Sequence, residues 1–282
     1  MINCTDTIKL NNGEKLKNIR YCDLRPWSLE NNIYHVYLNS SEDILVAKDK
    51  TSASSGILLG VHSLIKPEIF QQFPLGVFAL HASLLPQLKG WSPLNWAILL
   101  GFKETGVTLF KLVKEMDAGP IVSQQKFSIL ESDYISDLIQ KSYTAINECF
   151  GVFTEKLFLN TLTCTEQDAE KSTFCLQRRE EDSRINWRES AESIIRLIKA
   201  SSIPYFGAFS ILNGKKVRIF RAKKGKLAVS GRPGQIFKFS KDMNFHIMCK
   251  DHCIEIEDYL VERESNTKQF LLNSINHTFD VF

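Results

Sequence analysis

The chain has 282 residues, 44% of them apolar and 24% charged, an ordinary globular composition with room for two cores of about 100–150 residues each. A net charge of +3 is too small to imply a polyanion partner by itself, and seven cysteines, an odd number in a chain this long, argue against a disulfide framework. The opening MINCTDTIKLNNGEKLK has no basic-then-apolar leader pattern and no apolar run nears the ~18 residues of a membrane span, so a cytoplasmic protein without a membrane partner is expected.

Residues 1–55 carry the weakest signals. KNIRYCDL, IYHVYL and DILVAK read as short strands, interrupted by Pro26, by Asn31-Asn32 and by the polar stretch DKTSASSG. From Gly56 the pattern sharpens. GILLGVHSLI is a continuous apolar run of the kind buried on both faces of a sheet, and Lys66-Pro67-Glu68 opens a helical turn. A second buried run, LGVFAL, leads directly into His81. HASLLPQLKGWSP, with two prolines and a glycine, reads as loop, LNWAILLGF as helix and GVTLFKLV as strand. In ESDYISDLIQKSYTAINECFGVF, Ser132 or Asp133 caps a helix whose Ile135, Leu138, Ile139, Ile146, Phe150 and Phe153 share a face. Strands alternating with helices predict an α/β domain with a largely parallel sheet.

Near residue 165 the character changes. TEQDAEKSTFCLQRREEDSR reads as a polar connector, and a helix follows with Ala191, Ile194, Ile195 and Ile198 on one stripe. Beyond Pro204 come five closely spaced strands, AFSIL, VRIFRA, QIFKF, FHIMC and CIEIEDYLV, with turns at Asn213-Gly214 and Arg232-Pro233-Gly234. That pattern predicts a small OB-like β-barrel. The expected organisation is an α/β domain over 1–164, a linker with a helix over 165–204 and the barrel over 205–282. The segment from Lys215 to Lys226 holds seven basic residues in twelve and no acidic one. It reads as the solvated cationic face of a strand or as a seat for a phosphate-bearing partner. Cys249 and Cys253, with His252 between them, lack the C-x-x-C spacing of zinc sites and alternate like a hairpin, so no metal is expected there.

His81 ends a buried strand, the edge at which α/β sheets bind ligands. Asp117 lies in Met116-Asp117-Ala118-Gly119-Pro120, which glycine and proline make a loop after the strand GVTLF. A carboxylate beside an imidazole holds its tautomer and stabilises the imidazolium; alone, such a pair is more often structural than catalytic.

The surrounding residues narrow that choice. HASLLPQLKGWSPLNWAILLGFKETGVTLFKLVKEMDAGPIVSQ resembles the core of the folate-dependent formyltransferase family, which reads roughly N-x-H-x-S-L-L-P, then a glycine and a proline, then T-G-V-T and D-x-G. His81, Ser83, Leu84, Leu85, Pro86, Gly90, Pro93, Thr105 to Thr108, Asp117 and Gly119 match in order, and the 36-residue separation of His81 from Asp117 is similar to that of members with a C-terminal barrel. RREEDSRINW and SAESIIRLIKASSIPYFGAFSILNGKK resemble the linker and first barrel strands of those members.

The resemblance implies a Rossmann-like formyltransferase domain, 10-formyltetrahydrofolate as formyl donor and acyl transfer to an amine without a metal. His81 would stabilise the formyl oxygen, and Asp117 would orient the imidazole and assist proton transfer from the amine. Val61, His62, Ser63, Leu64 and Ile65 would line the folate pocket with Leu84, Leu85, Pro86 and Gly119, His62 reading equally well as a core histidine. Two departures stand out. Ala79 occupies the place of the family's asparagine, an oxyanion donor, whose part would fall to His81, a backbone N–H, Ser83 or Asn95. Only 80 residues precede His81, so the sheet is expected to be abbreviated at its N-terminal side. Arg178-Arg179 with PYFGAF is similar to the linker of amino-sugar formyltransferases, which implies an amino sugar on a nucleotide as acceptor. The basic run keeps methionyl-tRNA open as an alternative, and Ala79 keeps open a non-catalytic binding protein.

Overall fold

The computed structural model describes residues 2–4, 7–9, 15–17, 22–38, 42–59, 65–240 and 243–280. The chain divides into two compact units, Met1–His81 with Thr108–Gln124 and Cys149–Glu170, and Ala82–Val107 with Gln125–Glu148 and Lys171–Phe282.

In the first unit, β1 (Ile2–Cys4) lies parallel to β4 (Val36–Leu38), while β2 (Thr7–Lys9) and β3 (Lys15–Lys17) pair antiparallel. Pro26 begins a helix, α1 (Arg25–Glu30), since a proline in the first turn gives up no hydrogen bond. DILVAK, expected as a strand, is α2 (Asp43–Thr51). A short apolar run fits either state, and tertiary burial of Ile44 and Ala47, three residues apart, selects the helix. Asp43 in the first turn and Lys48 and Lys50 in the last complement the helix dipole. Of GILLGVHSLI, the strand β5 (Ser55–Leu58) holds the first part, and residues 60–64 lie outside the described residues.

After α3 (Pro67–Phe70), β6 (Gly76–His81) runs parallel to β5, with Ser55 opposite Gly76 and Leu58 opposite Ala79. Ile44, Ile69, Phe70, Phe73 and Val77 form one core cluster, with Leu58, Ile65 and Leu112 packed against it. β6 pairs antiparallel with β8 (Glu104–Lys111), Phe78 opposite Lys111 and His81 opposite Thr108, and β9 (Ile121–Ser128) completes the order β5-β6-β8-β9. The sheet is thus mixed, with its parallel pair on the side that delivers His81. Phe78, fully buried, packs on Phe153 of α5 (Ile135–Phe158) with ring centroids 4.8 Å apart.

In the second unit, β7 (Lys89–Gly90) and β10 (Phe174–Cys175) form a short parallel pair. Leu94 and Ile98 of α4 (Pro93–Leu99) pack with Ile135, Leu138 and Ile139. α6 (Ala191–Ser201) is capped by Ser190, whose Oγ accepts from the Ser193 N–H at 3.1 Å. The C-terminal sheet is antiparallel throughout, in the order β11 (Ala208–Leu212), β12 (Lys215–Lys224), β15 (Cys253–Val261), β14 (Phe245–Met248), β13 (Ile236–Phe237), and it curls into a half-barrel. Asn213 and Gly214 supply the two positive φ angles of a tight hairpin turn, 49° and 75°. Trp187, Ile219, Ile236, Phe245, Ile247, Ile254 and Ile256 fill the core beside α6 and α7 (Thr267–Asn273), and the Trp187 indole donates to Ser210 Oγ at 3.0 Å.

Candidate active site

β6 places His81 at its carboxyl end, 8% exposed, and the loop between β8 and β9 brings Asp117 to it: Nδ1 of His81 lies 3.7 Å from Oδ2 of Asp117. That distance is longer than a direct hydrogen bond and short enough for a carboxylate to orient the ring. Asp117 adopts a left-handed conformation, φ 52°, which aspartate tolerates better than most residues. Two residues on, Gly119 presses against the end of β8, where a Cβ would run into the Lys111 carbonyl. The Lys111 N–H donates to Pro120 O at 2.9 Å, and Ile121 and Thr165 exchange two backbone hydrogen bonds of 2.7 and 2.8 Å. Gln167 donates from Nε2 to the carbonyls of Asp117 and Gly119, at 2.8 and 2.7 Å. Nothing in its polar connector marked this residue in the sequence. Opposite His81, Thr108 is fully buried and its Oγ1 accepts from Gln124 Nε2 at 2.9 Å.

The other expected residues divide between the two units. Ile65, with His81, Asp117 and Gly119, belongs to the first, where its side chain packs on the Val77 cluster; Val61, His62, Ser63 and Leu64 lie outside the described residues. Leu84, Leu85 and Pro86 belong to the second unit. Leu84 there lies against Gly106, and a Cβ on that glycine would collide with Gln125 O as well as with Leu84 Cδ2. This double approach is the physical reason for glycine in Thr105-Gly106-Val107-Thr108. Two of the suggested substitutes for the missing asparagine have their donors in use. Ser83 donates its hydroxyl to Gln87 O at 2.6 Å, and Asn95 donates from Nδ2 to Ala200 O at 2.7 Å. Ala79 itself is half-buried, between Leu58 and Phe110 on the neighbouring strands.

Cys249 and Cys253 lie in the half-barrel, where burial pushes the Cys249 thiol up to about 12, and His252 Nδ1 accepts from the Cys253 N–H at 2.9 Å. The basic run is β12 with the two residues after it, and Lys215, Lys216, Arg218 and Lys223 pair with carboxylates. Lys216 and Arg218 reach Glu180 at 2.9 and 2.6 Å, Arg218 reaches Glu262 at 2.6 Å, and Lys223 reaches Glu257 at 2.7 Å. Lys215 pairs with Glu264, and the Arg221 guanidinium lies 4.6 Å over the Tyr134 ring.

Among the described residues no helix is long and apolar enough to cross a membrane. Methionyl-tRNA formyltransferase of Malacoplasma penetrans is 29% identical over 266 residues, covering 94% of this chain and 82% of that protein. WlaRD, a sugar 3N-formyltransferase solved with dTDP and 5-N-formyl-tetrahydrofolate, aligns with a TM-score of 0.66 at 20% identity over 93% of this chain and 87% of its own. HypX from Aquifex aeolicus, solved with tetrahydrofolic acid, aligns with a TM-score of 0.66 at 20% identity over 83% of this chain; the match spans 41% of HypX, well under half its length. At such identities the two structures speak to the fold alone. The formyl transferase model matches residues 30–150, the segment that holds both His81 and Asp117, and the formyl transferase C-terminal domain model matches 178–272, the segment of the half-barrel. Matched to both models in their proper order, the chain belongs to the folate-dependent formyltransferase family, a family of one-carbon transferases.

Proposed function

We propose that this chain moves a formyl group from 10-formyltetrahydrofolate to the amino group of a nucleotide-linked sugar, with His81 and Asp117 carrying the chemistry. The observation that carries the reading is the 3.7 Å approach of His81 Nδ1 to Asp117 Oδ2 at the end of β6. The bound donor supplies a formyl carbon on N10, open to attack by an amine. In the first unit Ile65 and Gly119 would contact that donor. With Nδ1 turned to Asp117, the imidazolium would give its Nδ1–H toward that carboxylate and its Nε2–H to the oxygen on which negative charge develops. Asp117 would fix the ring and receive the proton that the attacking amine gives up; as the formyl C=O re-forms, the bond from the formyl carbon to N10 would break and that proton would pass to N10, releasing tetrahydrofolate. Ala79 brings no amide to this strand end, so His81 bears more of the charge stabilisation than in relatives with asparagine there.

The ion pairs along β12 support a small acceptor over a nucleic acid. Lys215, Lys216, Arg218 and Lys223 are each matched by a carboxylate of this chain, which reduces the positive field that phosphate backbones seek. The methionyl-tRNA reading is favoured by a different observation, the M. penetrans relative that runs along 94% of the chain. Single-turnover consumption of 10-formyltetrahydrofolate, with a nucleoside-diphosphate amino sugar or with methionyl-tRNA, separates the two. Transfer to the amino sugar that is lost in His81→Ala is the expected result. Transfer to methionyl-tRNA alone would replace the acceptor, and turnover indifferent to His81→Ala would overturn the mechanism.

A further inference from the structure

We infer that Gln167 is a positioning residue for Asp117, an inference that rests on the catalytic reading of His81 and Asp117. Gln167 is half-buried in a stretch whose neighbours, 163–166 and 168–170, are exposed. Its Nε2 spends both hydrogens on the two carbonyls that bracket Ala118, those of Asp117 and Gly119. The opposite amide orientation would set an oxygen against two oxygens, so the donor end is fixed by its surroundings. Among the described residues Gln167 Oε1 is buried without a hydrogen-bond partner, which is a cost this side chain bears while serving the loop.

The loop requires such a clamp. Asp117 sits at φ 52°, a left-handed conformation unfavourable for a residue with a side chain. Beyond it the chain is also held by backbone contacts: Gly119 against Lys111, Pro120 O to the Lys111 N–H, and Ile121 bridged to Thr165 two residues before Gln167. Those contacts fix where the loop ends. The Gln167 amide fixes the turn of peptide that aims the Asp117 carboxylate at His81 Nδ1. Removing it frees that turn, and a shift of about 1 Å at a catalytic group costs roughly a hundredfold in rate.

The test uses Gln167→Met, which keeps the length and removes the donor. Its kcat should fall between tenfold and a hundredfold, with KM for 10-formyltetrahydrofolate and for the amine within about twofold. In an Asp117→Asn background the same substitution should change kcat by less than about twofold, because the carboxylate it positions is already gone. Parental kcat in Gln167→Met would overturn the proposal, and so would an equal fractional loss with and without Asp117, the mark of a merely structural role. If Gln167→Met does not fold, Gln167→Asn serves in the same cycle, since it keeps a donor that falls one methylene short. Parental kcat in Asp117→Asn alone would instead overturn the catalytic reading beneath it, whatever Gln167 does.

Discussion

In the C-terminal sheet, Ile219, Ile236, Phe245, Ile247, Ile254 and Ile256 are wholly removed from solvent, and the charges of β12 pair with carboxylates at its flanks. Around His81, buried apolar residues such as Phe78 and Leu109 are joined by groups of another kind. His81 and Thr108 are buried polar side chains, and the Asp117 loop is held by hydrogen bonds to carbonyls and by a glycine. Hydrocarbon burial holds a fold strongly but is indifferent to direction, whereas a hydrogen bond fixes an angle while adding only about 1 kcal/mol of net stability. The half-barrel is therefore the place to lose stability without losing chemistry, and the strand end is the reverse.

The crossed pair Phe245→Ala and His81→Ala puts this contrast at most risk. Phe245→Ala empties a fully buried ring site and should cost about 3–5 kcal/mol of unfolding free energy, with turnover per folded molecule retained. His81→Ala should lower kcat on the order of a thousandfold, roughly 4 kcal/mol in barrier, with stability within about 1 kcal/mol of the parent. Denaturant unfolding and single-turnover assays on both variants decide it; equal losses in both quantities for either one would erase the distinction. Ala79→Asn sharpens the site side. Supplying an amide between Leu58 and Phe110 should raise the single-turnover rate about tenfold. A fall in rate would mean that another donor already fills the oxyanion position.

Smaller effects probe the half-barrel unit. Ser190→Ala removes the cap of α6 and should cost about 1 kcal/mol by denaturant unfolding, leaving turnover untouched. The smallest comes from Glu180, whose carboxyl is held below its ordinary value of 4.5 by hydrogen bonds from Lys216 and Arg218. A depressed folded-state pKa contributes stability above the unfolded value and loses it as pH falls through the folded one. Glu180→Gln should thus cost less than about 1 kcal/mol at pH 7, because the pair is partly exposed, with the difference shrinking below about pH 4.5. Thermal melts of parent and variant across pH 3–7 would show it, and a difference constant over that range would count against the ion pairs.

The parts legible in the sequence were those where one signal dominated. LGVFAL running into His81, the Asp-Ala-Gly-Pro loop and the alternation of β12, β14 and β15 needed only apolar period or turn chemistry. DILVAK became helix because burial of Ile44 and Ala47 outweighed its β-branched composition. β9 carries no such signal: IVSQQKFS is an edge strand with polar residues on its outward face, and it gains its state from the pairing partner. Gln167 was invisible for a similar reason, since its importance lies in two carbonyls fifty residues away in the chain. The folate-lining expectation at Val61, His62, Ser63 and Leu64 falls outside the described residues.

The register of β6 sets a rule for anyone recombining this chain with its relatives. Ser55 opposes Gly76 on one side and Thr108 opposes His81 on the other, so the strand is keyed at both ends. Because side chains alternate faces, inserting or deleting one residue between Gly76 and His81 would present His81 to the face opposite Asp117. Substitutions along the strand are a matter of degree, but a crossover that changes its length inverts the site outright. Chimeras should be joined in the turn after Gly225, where residues 226–234 connect β12 to β13 and no catalytic group depends on the count.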